Sequence, residues 1–474
     1  MTLPLKNQDL KLLQKSGISK DNAEKLFDLL NSKAVPVAVD RPAIIGDGIV
    51  ELNDKEKEYY YNFSFNIEEN DIIKFIPASG AASRMFDFLI SFYNNKINNE
   101  VEKKIDKFVK NFNKLPYYYF IKSEITDRRD FNNFLTDFLK YINFGNIPKA
   151  FVYFHTYSNN DIRTSLEEHF YESSQQFKEE INIHFTFSRE FMDFAREFII
   201  KFLSNKRFNQ KVQWSYSEQK SSTRTFALDS KDNILKDKEG NIVLRPGGHG
   251  ALLENLNNIE KKFILIKNID NIPVERLWHK RNFYQRILLG IAAEILKIFK
   301  EISREFITNK NSKNIKEKID YLNSKYFLQL DYNGDFLKKP LRVVGVVKNT
   351  GEPGGGPFWV KKNGLSYLAI LEKQQIDGEY KELLLKSTHF NPVDMVVCPY
   401  SVYGEKFDLS KFIDNGQFLI ANKTYLGETI KIIEYPGLWN GSMFYYNTVF
   451  VDIPLETFAP VKNILDLLRP EHQV

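Results

Sequence analysis

The chain has 474 residues, enough for two or three domains around a large core. With 43% apolar and 27% charged residues its composition is that of an ordinary globular protein, which excludes a disordered or fibrous chain. The net charge of +5 arises without any block of five or six like charges, so a nucleic-acid arm is not expected and small anionic ligands suit the balance better. Cys398 is the only cysteine, so neither an intrachain disulfide nor a thiolate metal cluster can form, and a reducing compartment is expected. The N-terminal residues lack the apolar core of a signal peptide, and the most apolar helical stretch, 287–299, is broken by Glu294 and Lys297. The expected location is the cytoplasm, with no membrane partner.

Residues 1–70 read as an N-terminal helical cap, with two short helical patterns and then a Pro- and Gly-marked stretch around Arg41 and Gly48. From Asp71 onward, short β-rich runs begin at 72, 181, 212, 263 and 341, separated by helical patterns. This alternation predicts a largely parallel sheet with helices on both faces. Residues 86–141 read as an all-helical insertion, far longer than an ordinary connection in an α/β unit. Beyond Ser366, further β runs predict a β-rich C-terminal portion, 401–474, ending in a helix over 461–468. The α/β domain itself is expected over 71–400.

Four segments could carry chemistry, and each falls at the end of a predicted strand. Pro77 to Met85 holds Ser79, Gly80, Ala81, Ala82, Ser83 and Arg84 between a strand and a helix. Such a turn exposes backbone N–H groups to phosphate oxygens, and the Arg84 guanidinium could fork onto two of them. The plainer reading is a tight turn with a surface arginine. Lys149, behind Pro148 and ahead of a strand, could bring its ammonium to the crevice where open α/β sheets bind ligands. Gly247, Gly248, His249 and Gly250 would let backbone approach a planar ligand, or would merely close a hairpin. Asp270 and Asn271 follow an apolar strand; a carboxylate there suits Mg2+, although such residues more often only turn the chain.

The order of these segments resembles the sugar-1-phosphate nucleotidyltransferases, especially the UDP-sugar pyrophosphorylases. Those enzymes carry a G-x-G-T-R loop, a Pro-Lys pair, a Gly-His-Gly segment and an Asn-x-Asp-Asn strand end. The whole chain also resembles an uncharacterised bacterial family, a domain of unknown function, placed near those enzymes. The resemblance implies a Rossmann-like, three-layer mixed sheet of the nucleotide-diphospho-sugar transferase type, with a helical insertion and a β-rich C-terminal portion. It implies that Ser79 to Arg84 hold a nucleoside triphosphate, that Lys149 contacts the sugar phosphate or α-phosphate, and that Gly248, His249 and Gly250 contact base and ribose. It further implies that Asp270 and Asp394 bind Mg2+, with Glu372 as the alternative to Asp394. The implied substrates are a nucleoside triphosphate, UTP favoured, and a sugar 1-phosphate. The loop departs from the family in having Ala82-Ser83 where Gly-Thr is usual.

Asn271, Glu352, Asn391, Trp439 and Asn440 are candidates for contacting the sugar, the tryptophan by stacking. His155, His169 and His249 do not form a spaced pair on one helix face, so a zinc site is not expected. No G-x-S-x-G elbow is present, and Cys398 lies in an apolar strand, which argues against a nucleophilic triad. Two rival functions fit the same residues: a metal-dependent glycosyltransferase and a non-catalytic nucleotide-binding protein.

Overall fold

A computed structural model describes residues 7–16, 18–31, 37–119, 128–158, 161–206, 208–219, 224–246, 252–309, 312–351, 355–376, 381–414, 416–417, 419–425, 428–434, 437–439 and 441–474. The chain groups into two compact units, each assembled from three stretches. One takes 1–63, 218–264 and 288–452; the other takes 64–217, 265–287 and 453–474. The sequence reading expected three consecutive parts.

In the first unit the two N-terminal helices, Asn7–Lys15 and Lys20–Asn31, bury Leu13, Leu26, Phe27 and Leu30 against Phe226, Leu228 and Ile433. Those last three residues come from a four-stranded sheet whose order is Leu244–Pro246, Arg224–Leu228, Glu428–Glu434 and Leu419–Tyr425. The expected cap is therefore a helical pair seated on a β layer, and a third helix follows at Asp54–Phe63. A three-stranded antiparallel sheet joins Val39–Pro42, Gly356–Lys362 and Leu365–Leu371. The main sheet of this unit runs Ile44–Ile45, Gly48–Val50, Asn447–Asp452, Leu341–Lys348 and His389–Cys398. Asn447–Asp452 lies parallel to Leu341–Lys348, and His389–Cys398 runs antiparallel to it, so the sheet is mixed.

In the second unit the sheet order is Phe263–Lys267, Ile72–Pro77, Glu180–Phe187 and Lys211–Glu218, with the middle two parallel. Ile72–Pro77 and Phe263–Lys267 are apolar but for one lysine each and are buried on both faces, whereas the edge strand Lys211–Glu218 alternates between exposed and half-buried residues. The helical insertion is present as Asp87–Tyr93, Asn99–Asn111 and Arg128–Tyr141. Its core is aromatic: Phe108 packs within 6.5 Å, ring centre to ring centre, of Phe88, Phe112, Phe131, Phe134 and Phe138. Helix Ser165–Gln176 opens with a capping box in which Thr164 and Glu167 satisfy each other's backbone N–H groups.

Three local expectations change. The loop after Ile72–Pro77 enters a 3-10 turn, Ala82–Met85, and then a helix of two turns, instead of passing directly into a helix. Lys149 opens a 3-10 turn, Lys149–Phe151, and the strand beyond it, Tyr153–Tyr157, pairs with Asp161–Thr164 in a hairpin that is two-stranded among the described residues. The C-terminal helix expected over 461–468 is a 3-10 segment, Ile464–Leu468, because Asn463 caps it late with its side chain on the Leu465 N–H.

Candidate functional site

Within the second unit, three of the four segments singled out in the sequence meet around Lys149. The Lys149 backbone N–H donates to the Gly80 carbonyl at 3.0 Å, and the Ala82 N–H donates to the Ile147 carbonyl at 2.9 Å. The strand-end loop is thus zipped to the segment that carries Pro148 and Lys149, with Ala81 bridged to Pro148. Gly145 makes this approach possible. Its φ is +76°, and a Cβ there would lie 2.8 Å from the Ser83 Cα.

The Lys149 ammonium donates to Asp270 Oδ2 at 2.8 Å and to the Val461 carbonyl at 3.0 Å. The two side chains are 14% and 24% exposed, so the pair stands at the surface of the unit, within reach of a ligand. Asp270 is held by its neighbours. Ser165 Oγ donates to the Ile269 carbonyl at 2.6 Å and His169 Nε2 lies 3.1 Å from the same oxygen. Burial, with Lys267 close by, keeps the His169 imidazole well below its ordinary range, so it acts as a neutral donor. From the other side, the Val461 N–H donates to the Asp270 carbonyl at 3.0 Å, and the Ala459 N–H donates to Asn271 Oδ1 at 2.8 Å.

Gly80, Ala81, Ser83 and Arg84 are exposed, Ser79 is half-buried and Ala82 is buried. Gly80 has no positive φ, and among the described residues no protein atom lies within 4 Å of where its Cβ would be. Neither backbone conformation nor packing there demands a glycine.

Beneath the strand ends lies a buried ionic cluster that sequence reasoning missed. Glu172 Oε2 meets Lys74 Nζ at 3.1 Å and also Lys267 Nζ, while Arg281 Nε lies 3.5 Å from Glu172 Oε1. Burial pushes the Glu172 carboxyl up, but Lys267, Lys74 and Arg281 outweigh it and hold the group well below the usual carboxylate range. Lys74 and Lys267 each stand three residues ahead of a site segment, in the strands that end at Pro77 and Lys267 itself. A lysine inside an otherwise apolar strand was the available signal; its partner Glu172 lies about a hundred residues away.

The remaining candidates sit elsewhere. Asn271 is 1% exposed and spends its carbonyl on Ala459. Asp394, on strand His389–Cys398 of the first unit, is 2% exposed, and the backbone of Asn391 belongs to the same strand. Glu372 caps the 3-10 turn Lys373–Gln375 in a reciprocal arrangement with Gln375. Trp439 is half-buried and its carbonyl accepts from Arg342 Nη1 at 2.8 Å. Gly248, His249, Gly250, Glu352 and Asn440 lie outside the described residues. Cys398 is buried, which pushes its thiol up and leaves it protonated.

Among the described residues no group of three or more His, Cys, Asp or Glu side chains could hold a metal by itself. Mg2+ does not require one, since it commonly takes one or two carboxylates together with substrate phosphates and water. Asp270, a part-exposed carboxylate, fits that mode. No helix among the described residues is long and apolar enough to cross a membrane.

Over residues 6–473 the chain matches the family model described as "Domain of unknown function (DUF4301)". The chain belongs to that family. No curated protein matches it in sequence. Among solved structures it is similar to the uridine diphosphate N-acetylglucosamine pyrophosphorylase from Trypanosoma brucei, at 12% identity and a TM-score of 0.50, over 94% of this chain and 74% of that one. It also aligns with a UDP-glucose phosphorylase from Trypanosoma brucei at 14% identity, over 98% of this chain and 80% of that one; there the TM-score of 0.46 is too low to carry an argument. The first likeness is one of fold, and it bears out the mixed-sheet architecture expected from the sequence resemblance.

Proposed function

We propose that this DUF4301 chain is a nucleotidyltransferase that condenses a sugar 1-phosphate with a nucleoside triphosphate, yielding a nucleotide sugar and pyrophosphate. The observation that carries the reading is the convergence of the Ser79–Arg84 loop, Lys149 and Asp270 in one place, on a fold like that of a UDP-sugar pyrophosphorylase. UTP is the favoured triphosphate, because the segment from Arg245 to Gly250 resembles the UDP-sugar branch.

In this reading the loop amides and the Arg84 guanidinium receive the triphosphate, with Gly80 allowing the close backbone approach that its open surroundings permit. Lys149 gives its ammonium to the phosphate oxygens around the reacting phosphorus. Asp270 would hold the divalent cation that the triphosphate brings. When bound, Mg2+ supplies neutralisation of charge on the phosphate oxygens. The sugar phosphate oxygen attacks the α-phosphorus in line, the bond to the bridging oxygen breaks, and pyrophosphate leaves with the electron pair. No covalent intermediate on the chain is needed, so catalysis rests on holding two polyanions in line and matching their charge.

Asp270→Ala is expected to abolish pyrophosphate release while the circular dichroism spectrum and melting temperature stay near those of the parent chain. An active Asp270→Ala enzyme would sink the metal assignment.

A further inference from the structure

The ammonium of Lys149 makes one contact that the proposed reaction does not need. It lies 2.8 Å from Asp270 Oδ2, and the Val461 carbonyl takes a second of its three N–H bonds at 3.0 Å. Asp270 is the carboxylate assigned above to the divalent cation. A cation at Oδ2 would have to displace the ammonium, and one at Oδ1 would still meet its repulsion across the same carboxylate. Both side chains are only part-exposed, at 14% and 24%, so water screens that repulsion incompletely. The backbone of Lys149 is anchored to the Gly80 carbonyl and opens a 3-10 turn, so only the side chain has to swing for the ammonium to change partner. The loop Ser79–Arg84, to which that backbone is zipped, is where a phosphate would draw it.

We infer that in the free chain Lys149 latches Asp270 shut, so that a divalent cation gains Asp270 only when a triphosphate has drawn the ammonium away. The inference rests on the reading of Asp270 given above, and it adds an order to it: the cation enters with or after the nucleotide, never before. Val461, through its carbonyl, is a positioning residue for the closed state of the latch. The exchange makes and breaks only ionic and hydrogen-bonding contacts.

Mn2+ serves as the probe, its free concentration read by electron paramagnetic resonance in the full chain without nucleotide. The forms compared are the parent, Asp270→Asn, Lys149→Met, Lys149→Gln and the double variant Lys149→Met/Asp270→Asn, with thermal melts to check that each is folded. The expected result is that both Lys149 variants bind Mn2+ about tenfold or more tighter than the parent, as removal of an adjacent full charge requires, and that the double variant loses the gain. If the parent already binds Mn2+ as tightly as the Lys149 variants, and Asp270→Asn loses it, the latch is overturned while the metal role of Asp270 stands. If Mn2+ binding never depends on Asp270, the latch and the metal assignment fall together. If neither the parent nor the Lys149 variants bind, the lysine is not what excludes the cation, and the latch is overturned while turnover remains to be judged by pyrophosphate release.

Discussion

At the scale of single residues, the second unit holds its ionisable groups in states set by burial. His155 Nδ1 meets Glu168 Oε1 at 2.7 Å, and His155 Nε2 meets His472 Nδ1 at 3.0 Å, all three side chains being buried. Burial, assisted by Arg163, drives His155 down to about 3, and burial pushes Glu168 up to about 8 against the pull of Arg163. Burial thus favours the uncharged form of each of the three groups. The signs of the resulting pH dependence are opposite. An unfolded histidine takes its proton near 6.5 and the folded His155 refuses it until about 3, so acidification through that window destabilises the fold. An unfolded glutamate loses its proton near 4.5 and the folded Glu168 keeps it to about 8, so raising the pH through that window also destabilises. Each group costs about 1.4 kcal/mol per pH unit within its window. His169 and His472 are likewise held well below 6.5, so the acid side dominates. The melting temperature is expected to fall from pH 6.5 to 5, and Glu168→Gln, which stays neutral, is expected to flatten the fall between 6.5 and 8. An unaltered profile in Glu168→Gln would mean that Glu168 is charged at neutral pH.

At the scale of elements, two glycines have opposite jobs. Gly145, with φ +76° and Ser83 Cα in the way of any Cβ, serves the fold. Gly145→Ala is expected to cost about 1–3 kcal/mol in denaturant unfolding, because the clash is with backbone that cannot rotate aside, and to displace the loop. Gly80 has open space and no conformational demand, so Gly80→Val is expected to leave stability within about 0.5 kcal/mol while weakening triphosphate binding in calorimetry. Gly80→Val binding with parental affinity would remove the loop from the site. The strands ending at Pro77 and Lys267 and the helical insertion were legible in the sequence, since continuous apolar runs and helical spacing announce themselves locally. What escaped was set by partners that a strand run does not reveal, one local and one distant. The strand after Lys149 is diverted into a hairpin by Asp161–Thr164, and Val461, which no side-chain chemistry marks, enters through its backbone alone.

At the scale of the molecule, each unit is stitched from three separated stretches, which is why a reading in consecutive parts could find the elements without finding how they group. The C-terminal residues 453–474 belong with the unit that holds Lys149 and Asp270, and Val461 and Ala459 make that membership specific. Loop, lysine and aspartate are drawn together from positions 80, 149 and 270; the loop and the aspartate follow strands, and the lysine opens the turn that is zipped to the loop. The central claim is that this arrangement transfers a nucleotidyl group. It is tested most directly by measuring pyrophosphate release with Mg2+ from four nucleoside triphosphates against a panel of sugar 1-phosphates, with Lys149→Ala as control. Release is expected to require both substrates, to be greatest with UTP and to be lost in Lys149→Ala; no release from any pair, while calorimetry shows a triphosphate bound, would rule out nucleotidyl transfer.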